Sequence, residues 1–154
     1  MRRFEYKLFA DYFQFYLQDE SVEGDVSESW SAEAEARLLA VAPGTVGVGT
    51  VRNMDVPVTV ELLDAQPDSD FKDWDHVTEC AIEVLSGRIV IAGRTDYFPD
   101  ASRIDVEPGS YRVRISYGHL DTLSDDGLDG DDRYRVQLWQ ASAIAPQVIK
   151  HRAA

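Results

Sequence analysis

Polar and apolar residues alternate most cleanly over residues 104–117, Ile-Asp-Val-Glu-Pro-Gly-Ser-Tyr-Arg-Val-Arg-Ile-Ser-Tyr. Tyr111, Val113, Ile115 and Tyr117 fall on one side of a period of two, and Arg112, Arg114 and Ser116 on the other. That pattern predicts a strand with one buried face. Pro108 presets φ for the second position of a type II turn, and Gly109 supplies the positive φ at the third. Such a turn splays its flanking strands, so the chain is expected to turn a corner here between two packed sheets. Tyr111 has the placement of the tyrosine that latches such corners through its hydroxyl.

The same period recurs along the chain. Residues 4–18 are rich in aromatics and read as one long bent strand, or two short ones broken around Ala10-Asp11. In the second half Phe13, Phe15 and Leu17 oppose Tyr12, Gln14, Tyr16 and Gln18. Residues 29–37 carry the one good helix signal, with Ser29 or Ser31 as cap, Glu33 and Glu35 at the positive end, and Trp30 to dock it. Residues 38–51 predict a strand, a turn at Pro43-Gly44 and a second strand with Val46 and Val48 on one face. Gly47 and Gly49 lie on the other face, where backbone can approach closely. Residues 56–63 predict a strand entered through Pro57. Residues 77–84 set Cys80, Ile82 and Val84 inward against Glu79 and Glu83, and Ser86-Gly87 reads as a hairpin turn returning through Arg88-Ile-Val-Ile-Ala. A loop over residues 93–102 carries Tyr97, Phe98 and Pro99. The last strand opposes Tyr134, Val136 and Leu138 to Arg133, Arg135 and Gln137. The tail after about residue 141 is expected to be loosely ordered.

Nine or so strands and one short helix predict a single all-β domain over residues 1–154. The expected form is a two-sheet antiparallel β-sandwich, jelly-roll or Ig-like, with a closed barrel as the alternative. Its predicted core holds Cys80, Ile82, Val84, Ile89, Ile91, Tyr111, Val113, Ile115, Val136 and Leu138. A chain of 154 residues needs no staple, and its one cysteine, Cys80, excludes an intramolecular disulfide. Neither a signal-peptide core nor a membrane-length apolar run is present, so a cytoplasmic protein is expected.

Charge changes the picture more than composition does. The net charge is −13, and three stretches, 19–28, 64–75 and 121–132, hold 16 of the 28 acids with Lys72 as their only base. The rest of the chain has 12 acids against 14 bases. The acidity therefore belongs to linking segments. Such a surface repels nucleic acid and membrane and attracts a basic protein or a cation.

The candidate chemistry is sparse. Residues 121–132 tempt toward calcium, yet no register fits an EF-hand: with Gly130 at the turn, position 12 is Val136, and with Gly127 there it is Arg133. Asp73-Trp74-Asp75-His76 offers carboxylates and an imidazole, but His76, His119 and His151 show no ligand spacing. Cys80 lies on an apolar face that disfavours its thiolate. The glycines of 44–50 lack the lysine and the following helix of a phosphate loop. Alternating Arg112, Arg114, Arg133 and Arg135 are expected to pair across strands with carboxylates such as Glu79 and Glu83. No catalytic residue, metal ligand or cofactor is expected.

Four segments together resemble the competence protein J family of bacterial nuclease inhibitors: Asp-Tyr-Phe-Gln-Phe at 11–15, Trp-Ser-Ala-Glu-Ala at 30–34, Val-Arg-Asn at 51–53 and Pro-Gly-Ser-Tyr at 108–111. Their order and spacing are similar over roughly residues 5–140. The resemblance implies a small acidic β-protein that binds and blocks a DNA-entry nuclease. The expected function is a non-enzymatic acidic protein-binding module with a basic protein partner, and the alternative is a calcium- or small-ligand-binding sandwich. The expected partner-binding residues are Asp121, Asp125, Asp126, Asp129, Asp131, Asp132, Asp73 and Asp75, with Trp74 and Tyr97 as apolar anchors.

Overall fold

Inward-facing alternation on neighbouring strands closes into two layers. A computed structural model describes residues 1–153. The strands are β1 (Arg2–Phe9), β2 (Gln14–Asp19), β3 (Leu39–Ala42), β4 (Thr45–Gly49), β5 (Asp55–Leu62), β6 (His76–Val84), β7 (Arg88–Gly93), β8 (Ser102–Asp105), β9 (Gly109–Gly118), β10 (Arg133–Gln140) and β11 (Gln147–Lys150). The first sheet has the order β1-β5-β10-β9-β6-β11 and the second β3-β4-β2-β7-β8. All neighbours are antiparallel except β5 and β10, which run parallel. Both sheets keep open edges, so the molecule is a sandwich and not a closed barrel. Every residue of the predicted core is buried, joined by Phe15, Leu17, Val46, Val48, Val58 and Tyr134.

The corner at residues 106–109 forms where the sequence predicts, but as an open bend and not a type II turn: Gly109 has φ +152° and already begins β9. It carries the chain from β8 in the second sheet to β9 in the first, and the Tyr111 hydroxyl donates to the Glu107 carbonyl at 2.6 Å. Ser86-Gly87 is not a hairpin. It links β6 in the first sheet to β7 in the second, so it is another corner. Two features hold it open. The buried Asp19 carboxylate at the end of β2 accepts from the backbone N–H of Leu85 (3.0 Å) and Ser86 (3.2 Å) and from the Ser86 hydroxyl. Gly87, at φ +74°, packs against the other corner, where an added Cβ would meet the Val106 carbonyl oxygen at 3.0 Å.

Residues 63–75 join the end of β5 to the start of β6, which lie at opposite ends of one sheet, so this stretch must run lengthwise over the sheet's outer face. It forms a strap. Asp70 receives both Arg135 guanidinium nitrogens at 2.7 Å, the Phe71 and Trp139 rings flank Arg114, and Trp74 stacks under Arg133 and Arg135. Arg114, on the polar side of β9, is thereby buried, and it pairs with Glu79 at 2.7 Å as the cross-strand pattern predicts. Residues 20–31 cross the second sheet in the same way. Val26 and Trp30 cover the hole left by Gly47, where a Cβ would meet either at 3.1 Å, and the Trp30 indole donates to Gln14 Oε1. Helix α1 (Ala32–Arg37) follows, capped by Ser31, whose hydroxyl accepts from the Ala34 N–H at 3.1 Å. The tail expected to be loose contains β11, which pairs with the β6 edge.

Candidate functional site

The registers bring β1's end, the starts of β2, β5, β6 and β10, and the ends of β4, β7 and β9 to one end of the sandwich. Three connections meet there: residues 10–13 and 50–54, which cross between the sheets, and the long β9–β10 loop, 119–132. The 93–101 connection of the second sheet stands at the same end.

The loop is stitched by its own polar side chains. Thr122 Oγ1 donates to the His119 carbonyl (2.7 Å) and accepts from the Asp131 N–H (2.8 Å). Ser124 Oγ accepts from the Asp129 N–H and donates to Asp126 Oδ1 at 2.6 Å, which also accepts from the Leu128 N–H. The Ser124 hydroxyl and the Leu128 amide hold the Asp126 carboxyl below the usual carboxylate range. Asp121, Asp125, Asp126, Asp129 and Asp131 are exposed. They present five carboxylates on a shaped loop.

Asp132 does not join them. It is fully buried, with Oδ1 2.9 Å from Arg52 Nε and Oδ2 accepting from the Tyr134 hydroxyl at 2.7 Å, while that hydroxyl accepts from the Val51 N–H. Tyr134 and Val136 point inward on β10, and one further step of two places Asp132 on the same inward side. Its role is to root the acidic loop on residues 50–54. Trp74, expected as an apolar anchor, is 7% exposed and taken up by the strap. Asp73 is exposed, and Asp75 is exposed while its Oδ2 accepts from the Leu120 N–H at 2.8 Å, tying the strap's end to the acidic loop. Tyr97 is exposed and belongs to the β7–β8 connection at the same end.

Tyr12 and Phe13 also stand at this end, outside the acidic segments. Both have φ of 59° and are 65% and 53% exposed. Phe13 was expected inward with Phe15 and Leu17, but alternation begins only at Gln14, after the crossover. The break noted at Ala10-Asp11 carried the signal, because an aromatic run that straddles a break cannot all face one core. Their backbone is fixed by bonds from the Phe13 N–H to the Ala10 carbonyl (3.0 Å), from the Thr50 N–H to the Phe13 carbonyl (2.9 Å), and from the Ala10 N–H to the Met54 carbonyl (2.9 Å). Segments 11–15 and 30–34, two of the four that carry the sequence resemblance, border one open cleft of about 710 Å³ lined by Tyr12, Phe13, Gln14, Trp30 and Thr50, and Asn53 of a third accepts from the Phe13 N–H.

Elsewhere the titratable groups are structural. His76 is buried, its Nε2–H donating to the Arg37 carbonyl (2.8 Å) and its Nδ1 accepting from the Arg152 N–H (3.1 Å). Burial, with the nearby His151 and Arg152, keeps its pKa below the ordinary value despite the Arg37 bond. Burial pushes the Cys80 thiol up to about 12, which suits a core side chain and not a nucleophile. Among the described residues no group of three or more His, Cys, Asp and Glu side chains is arranged to hold a metal ion, and no helix is long and apolar enough to cross a membrane.

No family model matches the chain, and no curated protein sequence does. Two solved structures share its fold. ComJ from Bacillus subtilis, an inhibitor of the DNA-degrading activity of NucA, superposes with a TM-score of 0.68 over 92% of this chain and 96% of that one, at 17% identity. The product of crocagin biosynthetic gene J gives 0.60 over 92% of this chain and 100% of that one, at 18% identity.

Proposed function

We propose that this chain is a non-enzymatic inhibitor that docks on the basic cleft of a bacterial nuclease through the end of the sandwich carrying the 119–132 loop. The observation that carries this reading is the loop itself: five exposed carboxylates, ordered by internal hydrogen bonds and rooted through Asp132 and Arg52. A nuclease must be basic where it grips phosphates. An acidic surface competes for that ground by charge, and a rigid loop does so with little ordering cost. The fold shared with ComJ supports the choice of a nuclease as partner.

The test is titration of the purified chain into NucA of Bacillus subtilis and into DNA-degrading nucleases from its own source, followed by loss of DNA fragmentation. Inhibition that saturates near one chain per nuclease and weakens with salt is expected. Unchanged degradation at a tenfold excess of chain over every nuclease tried overturns the reading.

A further inference from the structure

We infer that Tyr12 and Phe13 form the apolar anchor of this docking end, seating in an apolar recess beside the basic surface of a protein partner. The inference rests on the docking-face reading and does not require the partner to be a nuclease.

Only four described non-glycine residues have positive φ, and two of them are these consecutive aromatics. Bulky side chains are disfavoured in the left-handed region, where glycine sits freely. The 10–13 crossover needs that geometry to pass from β1 to β2, so folding alone would be served better by glycine at both positions. The rings do not compensate by entering the core, since both are largely exposed. Phe9 and Met54, each more than a third exposed, stand at the same end.

Position supplies the partner's chemistry. Asn53 Oδ1 accepts from the Phe13 N–H, and the preceding residue, Arg52, holds Asp132 at the root of the acidic loop. The aromatic pair and the root of the acidic loop are therefore both tied to the short segment 52–53. A surface that receives both must be basic with an adjoining apolar socket. Exposed aromatics held rigidly beside steering charges are the usual composition of an interface hot spot. Arg94 lies 5.6 Å over the Tyr12 ring and limits its motion further.

The test compares wild type with the double variant Tyr12→Gly/Phe13→Gly, and with Leu85→Ala, which removes an equally exposed side chain at the opposite end. Binding is measured by calorimetry with NucA of Bacillus subtilis and with any host protein that wild type retains in stoichiometric amount. The glycine pair relieves the backbone, so its melting temperature should equal or exceed that of wild type. Its affinity should fall at least about thirty-fold, chiefly through faster dissociation, with Leu85→Ala unchanged. Equal affinity of the glycine pair for an inhibited nuclease overturns the anchor and leaves the inhibitor reading standing. A thirty-fold loss toward a basic protein that is not a nuclease does the reverse. A glycine pair that melts several degrees lower makes the rings packing elements, and a wild-type dimer that the variant abolishes makes them a self-association surface; either overturns the inference. A wild-type chain that binds no protein overturns both readings.

Discussion

Asp131 and Asp132 are neighbours of the same chemistry, yet one is solvated and the other is sealed beneath Arg52 and Tyr134. Asp132→Ala leaves a guanidinium without its counter-charge in a buried site and should cost about 3–5 kcal/mol, whereas Asp131→Ala should stay within about 0.5 kcal/mol. Urea midpoints of the two variants check this, and equal midpoints would contradict the buried network. The difference was legible in the sequence. Extending each strand's inward period by one step reaches Asp19 after Phe15 and Leu17, Asp132 before Tyr134, and His76 before Thr78 and Cys80. All three are buried polar groups provided with partners, and grouping acids by stretch concealed two of them. His76 makes a prediction about pH. Its folded pKa lies below the unfolded value of about 6.5, so the fold favours the neutral ring. The resulting stability is fully present above that unfolded value and is lost as pH falls toward the folded one. His151, Arg152, Arg37 and Tyr117 surround the ring, and none supplies a carboxylate to offset a positive charge. The melting temperature should fall between pH 7.5 and pH 5, and His76→Gln should flatten that part of the profile.

Straps and corners were the elements least visible in the sequence. Residues 64–75 read as a free acidic loop because their composition is that of a loop. Their path over the first sheet follows from β10 inserting beside β5, which no local pattern announces. Once the strap is in place its aromatics become packing residues. Trp74→Ala should therefore destabilise by about 3–5 kcal/mol, the range for emptying a large aromatic site, without slowing encounter with a partner. Paired measurements of urea midpoint and association rate check it; a slowed encounter with an unchanged midpoint would restore Trp74 as an anchor. Turn chemistry had a similar limit. Pro108-Gly109 and Ser86-Gly87 both mark sharp reversals, but whether the flanking strands pair or change sheets depends on what packs behind them. At Ser86 that is Asp19, 67 residues away in sequence. Tyr111 made the first corner readable because its latch is local, reaching only four residues back.

For the molecule as a whole, the segregation of charge was real but its meaning was divided. Two of the three acidic stretches are wrapped on the sheets, and the third stands free at one end. The free loop is the stretch whose carboxylates the proposed docking end presents together. Replacing Asp121, Asp125, Asp126, Asp129 and Asp131 by Asn, with Asp132 kept, should slow association with a basic partner while leaving the melting temperature within a few degrees. Charges of this kind are screened beyond about 10 Å at 0.1 M salt, so the wild-type rate should fall as salt rises and the variant's should fall less steeply. Stopped-flow association at two ionic strengths decides it, and equal, salt-insensitive rates would reduce the loop to a solvated connection.

The parallel pairing of β5 with β10 also bears on synthesis. These strands lie 76 residues apart in sequence, as in the bond from Gln137 to Glu61. At roughly 5–20 residues per second, β1 and β5 emerge from the ribosome about 4–15 s before β10 can reach them. During that interval one side of β5 is an unpaired edge bearing Val56, Val58 and Val60, which later become core. Nascent chains halted before Tyr134 should therefore aggregate or engage chaperones, while those extended past Gln140 should not.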